Sequence, residues 1–160
     1  MTGSIVVAGD ATDLPAVVAV MQDAFDPRFG EAWTYAQCAG LLPMPGVWLT
    51  LARDADGGLL GFSLSRIVLD EAELLLLAVS HAAQGHGIGR TLMRHFEADA
   101  AARGANRLHL EVREGNTALN LYNSSGFTLV GRRPRYYSGA DGQLYDALSL
   151  SRPSDLDSAT

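Results

Sequence analysis

Two side chains and one loop have the types and spacing to carry a reaction. Glu111 stands in the alternating segment from Arg107 to Val112, with Leu108, Leu110 and Val112 on one side and Arg107, His109 and Glu111 on the other. Its carboxylate therefore leaves the apolar face and can act as a general base, although alternation alone describes a solvated strand carboxylate equally well. Tyr122 falls in a short expected helix from Thr117 to Ser125, ended by Gly126, where its phenol can donate a proton or simply pack beside Leu121. The run Gln84, Gly85, His86, Gly87, Ile88, Gly89 follows an apolar stretch and opens a helical pattern. Such a turn gathers unpaired backbone N–H groups and the positive end of a helix dipole, about +0.5 charge, into an anion-binding point. Its glycines can adopt positive φ and let a ligand approach the backbone, or can merely connect a strand to a helix.

The elements that must place these groups can be read on both sides of the loop. Glu73 to Val79 is apolar on both faces, as a central strand is. Ile88, Leu92, Phe96 and Ala100 mark one face of a helix from Ile88 to Arg103, with Gly104 as its stop. Asn116 can cap the short helix that carries Tyr122. Upstream, a strand from Ser4 to Ala8 leads into a helix with Thr12 as N-cap and Leu14, Val17, Val18, Met21 and Phe25 on its buried face. A second helix is expected from Trp33 to Leu42, stopped by Pro43 and Pro45. Val47 to Arg53 and Leu59 to Leu69 form a hairpin about the turn from Asp54 to Gly58, with Gly61 marking a bulge or a close backbone contact. Downstream, a strand begins at Phe127, a loop from Pro134 to Gly142 carries Tyr136 and Tyr137, and a last strand runs from Tyr145 to Leu150.

Composition bounds the answer further. A chain of 160 residues fits one domain that buries roughly two thirds of its unfolded surface. The single domain is expected over 1–152, with a frayed polar tail over 153–160. The single cysteine, Cys38, cannot pair within the chain, and the N-terminus has neither a basic segment nor an apolar signal core, which points to a reducing cytoplasm. No apolar run has membrane-spanning length, and a net charge of −6 argues against charge-driven nucleic-acid binding. All 12 basic residues are arginine, so lysine nucleophiles, Schiff bases and phosphate-loop lysines are excluded. His81, His86, His95 and His109 lack metal-ligand spacing, and no metal is expected.

The order of these elements and the loop from Gln84 to Gly89 resemble the GCN5-related N-acetyltransferases, in which Arg or Gln is followed by two residues, Gly, one residue, and Gly or Ala. Within that superfamily, Leu108 to Asn116 (LHLEVREGN), Leu121–Tyr122 and Gly126–Phe127 resemble the ribosomal-protein alanine N-acetyltransferases of the RimI type. Val68 to Ala72, Arg132–Arg133 and Tyr136–Tyr137 extend the likeness, which covers about half the chain, while the N-terminal half agrees in layout. The resemblance implies an α/β (α+β) fold: a mixed, mostly antiparallel twisted sheet of six to seven strands flanked by about four helices. It implies acetyl-CoA as donor, its pantetheine arm paired with backbone groups of Leu77, Ala78 and Val79. The loop Gln84, Gly85, His86, Gly87, Ile88, Gly89 and Arg90 would hold the pyrophosphate, and Asn116 would bond the cofactor further along. Gly85 and His86 stand where many relatives have Arg or other polar residues, so backbone donors would carry more of that binding.

By the same resemblance Glu111 is the base, directly or through water, and Tyr122 is the acid beside the sulfur. The acceptor implied is a protein N-terminal amine, a ribosomal protein among the candidates, with Tyr136 and Tyr137 as candidate substrate contacts. Phe29, Trp33 and Tyr35, aromatics beside a loop, can line a substrate groove, with Phe29 as a further candidate contact, or pack the underside of that loop. Acetylation of a small amine or a lysine side chain is the alternative, and a non-catalytic acyl-CoA-binding module is a third reading.

Overall fold

The computed structural model describes residues 3–155. Among them the elements run β1 (Ile5–Ala8), α1 (Leu14–Ala24), α2 (Tyr35–Leu41), β2 (Val47–Arg53), β3 (Leu59–Val68), β4 (Glu71–Val79), α3 (Ile88–Ala102), β5 (Arg107–Arg113), α4 (Leu119–Ser124), β6 (Thr128–Ser138) and β7 (Leu144–Pro153). The strands form one sheet in the order β1-β2-β3-β4-β5-β7-β6, antiparallel throughout except for the β4–β5 pair. This is the mixed sheet of seven strands with four α-helices that the resemblance implies.

Helices cover both faces. On one, Leu14, Val17, Val20 and Met21 of α1 and Cys38 of α2 pack on Leu49, Leu51, Phe62, Leu64, Leu76 and Ala78. On the other, Met93, Phe96 and Ala100 of α3 pack on Trp48, Leu74, Leu108, Leu110 and Leu150. Each large side chain so buried contributes roughly 1.5–3 kcal/mol.

One irregularity in β4 makes the site. The β3–β4 register runs from Leu64↔Leu76 to Ser65↔Leu74, leaving Leu75 as an extra residue. A one-residue bulge reverses the alternation. Ala72 and Leu74 accordingly face α3, whereas Leu76 and Ala78 face α1. The parallel pairing of β4 with β5 stops at this point: it extends from Glu71↔Arg107 to Leu74↔Leu110, although β4 continues to Val79 and β5 to Arg113. Beyond the bulge the two strands part, and β4 keeps a free backbone edge toward the opening.

Several local expectations change. Thr12 is not the N-cap. A capping box belongs to a 3₁₀ turn ahead of the helix, where the Asp10 carboxylate accepts from Thr12 N and the Asp13 carboxylate from Asp10 N, each at 2.9 Å, and α1 itself follows Asp13, which makes no side-chain cap. The second helix begins at Tyr35 rather than Trp33, because Thr34 and Gln37 form a capping box there. Gly61 serves both purposes considered: the β2–β3 register slips beside it, and a β-carbon there would lie 2.8 Å from the Ala78 carbonyl oxygen. The expected loop from Pro134 to Gly142 is strand as far as Ser138. Pro134 is tolerated because β6 is an edge strand, and an irregularity between Arg133 and Tyr137, with Arg135 at φ 55°, absorbs the misfit. The expected fraying does not begin at 153: Pro153 ends β7, and Ser154 is buried and donates its N–H to Asn106 O at 2.8 Å. Residues 156–160 of that tail lie outside the described residues.

Candidate active site

The opening between β4 and β5 holds two adjoining cavities. The larger, about 620 Å³, lies against Leu77, Ala78 and Val79, the loop of Gln84, Gly85 and Gly87, the first turn of α3 at Ile88 and Gly89, and Asn116. The smaller, about 160 Å³, is walled by Glu73, Glu111, Tyr122, Tyr136, Tyr137 and Trp33. Phe25, Glu31, Leu77, Asn116 and Ala118 border both.

At the larger cavity, Gly85 (φ 81°) and Gly87 (φ 82°) take the left-handed conformation that the turn requires. Gly87 is the N-cap of α3 and supplies no side-chain cap, so the first N–H groups of this 15-residue helix are left for a ligand. A free strand edge and an uncapped helix end thus face one cleft, a fit for a long, amide-rich molecule ending in phosphates.

Two of the expected loop side chains are elsewhere. His86 lines a separate surface cavity with Asp54 and Ser80, its Nδ1 3.3 Å from Ala83 O. Arg90 is exposed and reaches Ser124 Oγ at 3.5 Å, tying α3 to α4. Gln84 donates Nε2 to Val79 O at 3.1 Å, which binds the loop to the strand.

At the smaller cavity, Glu111 departs from a solvated strand carboxylate: its side chain is 12% exposed. Oε1 lies 3.1 Å from Arg133 Nε, and Oε2 is buried with no hydrogen-bond partner among the described residues. Leaving such an atom unpaired costs about 1–3 kcal/mol, more for a charged group, so the position favours a hydrogen-bond donor entering from the cavity. Tyr122 is buried, and that burial, followed by the charge of Glu31, pushes its phenol above its ordinary value of 10. It therefore stays protonated at neutral pH. Tyr137 is pushed up in the same way, by burial first and then by Glu31, Tyr136, Glu111 and Tyr122. Its ring meets Tyr136 edge-on at 5.0 Å. Phe29 joins the larger cavity instead of the smaller one, packed edge-on against Tyr145 at 5.2 Å and under the Arg113 guanidinium at 3.6 Å.

Sequence reasoning missed Glu31 and Arg113. Glu31 Oε1 accepts from Arg113 Nε at 2.9 Å and Oε2 from Asn116 Nδ2 at 2.7 Å, with both members of the ion pair 10% exposed. No local signal could have found Glu31, which lies in an aperiodic stretch 82 residues from one partner and 85 from the other. Asn116 does not cap α4 as expected: its Oδ1 accepts from Ala118 N at 2.8 Å in a turn ahead of the helix, whose N-cap is Ala118 and has no side-chain cap.

The family model described as "Acetyltransferase (GNAT) family" matches residues 14–127. The chain belongs to the GNAT acetyltransferase family. Over 145 residues, 90% of this chain and 93% of its relative, it is 34% identical to the [ribosomal protein bS18]-alanine N-acetyltransferase of Escherichia coli (strain K12). The crystal structure of the ribosomal-protein-S18-alanine N-acetyltransferase from Escherichia coli superimposes with a TM-score of 0.83 at 31% identity, covering 94% of both chains. A phosphinothricin acetyltransferase from Sinorhizobium meliloti, solved in complex with AcCoA, shares the fold at a TM-score of 0.79 and 18% identity, over 96% of this chain and 89% of that one. This GNAT chain is an N-acetyltransferase, and the two cavities lie where its sheet opens.

Proposed function

We propose that this acetyltransferase moves the acetyl group of acetyl-CoA onto the N-terminal α-amine of a protein, of the ribosomal bS18 alanine kind. The reading of the acceptor rests on the 34% identity across 90% of the chain to an enzyme named for that substrate. Acetyl-CoA, when bound, supplies an acetyl group activated as a thioester. The free edge of β4 at Leu77, Ala78 and Val79 would bond its amides. Backbone N–H groups of the loop and of the first turn of α3, at Gly85, Gly87 and Gly89, would hold its phosphates, with His86 and Arg90 taking part through their backbones.

An α-amine has a pKa near 8, so freeing its lone pair near neutrality costs only about 1.4 kcal/mol per pH unit. Glu111 Oε2, buried and unpaired on the wall of the smaller cavity, takes the amine proton as the new N–C bond forms. Tyr122, on the same wall and protonated, supplies a proton to the sulfur as the C–S bond breaks. Solvent then resets both groups. Tyr136 and Tyr137 shape the acceptor cavity.

Purified protein, acetyl-CoA and short peptides of defined N-terminus test this by release of free thiol. Transfer to α-amines is expected. Transfer to lysine side chains or small amines instead overturns the acceptor, and acetyl-CoA binding without turnover on any amine overturns catalysis.

A further inference from the structure

Residues 25–34, between α1 and α2, cross the junction of the two cavities as a strap. One end is pinned to the β6–β7 turn: Ala140 donates its N–H to Pro27 O at 3.2 Å, and Gly30 (φ 67°) sits so close to the Ser138 carbonyl oxygen that a β-carbon would collide with it. The Phe29 ring is held under Arg113. At the other end the Glu31 carboxylate accepts from Arg113 and Asn116, one donor on each oxygen. Asn116 is bonded in turn to Ala118 N, and Ala118 O accepts from Tyr122 N at 3.1 Å. A continuous path of hydrogen bonds therefore joins the strap to the turn of helix that bears Tyr122.

We propose that Glu31 is a positioning residue of the transfer, whose double clamp on Arg113 and Asn116 holds the strap over the junction and sets the helix turn carrying Tyr122. This rests on the acetyl-transfer reading above. Both oxygens are needed for the clamp, because a buried carboxylate with one donor lost keeps its desolvation cost without full compensation. Its charge also matters. Tyr122 shares its surroundings with Glu31 from the strap, Glu73 from β4, Glu111 and Arg113 from β5, and Tyr136 and Tyr137 from β6. Glu31 is the carboxylate that, after burial, opposes loss of the Tyr122 proton. Removing the charge lowers the phenol's pKa, so loss of rate on the alkaline side begins at lower pH.

Glu31→Gln and Glu31→Asp separate reach from charge. For Glu31→Gln, kcat falls about tenfold while KM for acetyl-CoA changes less than about threefold. Its alkaline limb and the phenolate absorbance titration move down by about half a pH unit or more. Glu31→Asp keeps the charge but cannot span both donors, so kcat falls while the limb stays at its wild-type position. A Glu31→Gln protein whose limb and phenolate titration both match wild type overturns the proposal, whatever its kcat. Should that variant fail to fold, Glu31→Asp decides, and a kcat within about twofold of wild type overturns the clamp. If the wild-type protein transfers no acetyl group, the proposed function fails, and the phenolate titration of Glu31→Gln alone decides the role of Glu31.

Discussion

The two oxygens of Glu111 differ in their surroundings, and the difference sets what substitution does. Oε1 meets a half-exposed arginine and Oε2 meets no described partner. Glu111→Gln keeps the shape and removes the proposed base, so kcat at pH 7 is expected to fall about 10²-fold. The loss shrinks toward pH 9, because the acceptor amine, with a pKa near 8, by then sheds its own proton; a pH–rate profile with a peptide substrate measures both. Arg133→Ala changes kcat by less than about threefold, since this side chain is 60% exposed and its pairing is screened by water. Tyr122 adds no loss of rate between pH 6 and 9, because its phenol titrates above 10, and Tyr122→Phe lowers kcat about 10²-fold evenly across that range. Glu111 and Tyr122, which the structure places on the wall of one cavity, could be singled out as candidates in the sequence because each sits in a local pattern that resembles a family. Glu31 was not: its importance comes from partners in another part of the chain, and no periodicity marks it.

Among the elements, the strap offers a controlled comparison of two glycines with positive φ. Gly57 (φ 86°) has open space where a β-carbon would stand, whereas Gly30 (φ 67°) faces the Ser138 carbonyl oxygen. Gly57→Ala costs about 1–2 kcal/mol for its backbone conformation alone. Gly30→Ala costs that and about 1–3 kcal/mol more for the collision, and it lowers activity by lifting the strap. Urea unfolding of the two variants beside wild type checks the order. Elements with a clean period were legible: β2 runs over the residues expected of it, and α3 buries the stripe of Ile88, Leu92, Phe96 and Ala100. The second half of β6 was not, because a proline reads as a break unless the strand is known to lie at an edge, and that is decided by the order of the sheet. The bulge at Leu75 was equally hidden, since a run of leucines has the same appearance on either face.

Across the whole molecule, the two helical layers pack on opposite faces of one sheet, and Cys38 probes the α1–α2 layer from inside. It is 1% exposed, and burial pushes its thiol above the usual range. A soluble disulfide reagent at pH 8 therefore reacts with Cys38 only as the layer opens, and the reaction accelerates in urea together with the loss of secondary structure. Reaction at the rate of a free thiol in native buffer would contradict this packing. The bulge likewise acts across the molecule: deleting Leu75 joins Leu74 to Leu76 in unbroken alternation and leaves Leu76 and Ala78 on the α1 face, so the deletion variant keeps cooperative thermal unfolding, while the point at which β4 parts from β5 is removed and acetyl-CoA binding weakens.

The sheet order carries one more consequence, for the way the chain is made. β7 lies between β5 and β6, pairing with both, yet it follows both in the chain. A ribosome delivers the chain from its N-terminus, so β6 emerges without a neighbour and β5 waits with one edge bare. Until Leu144–Pro153 arrives, Leu108 and Leu110 lack the cover of Leu148 and Leu150, and the half-sheet that carries Glu111 cannot close. A nascent chain stalled before this segment presents two unpaired strand edges to the cell, the form that invites aggregation and proteolysis. The synthesis of β7 is thus the step that joins β6 to the sheet and completes the half that carries Glu111.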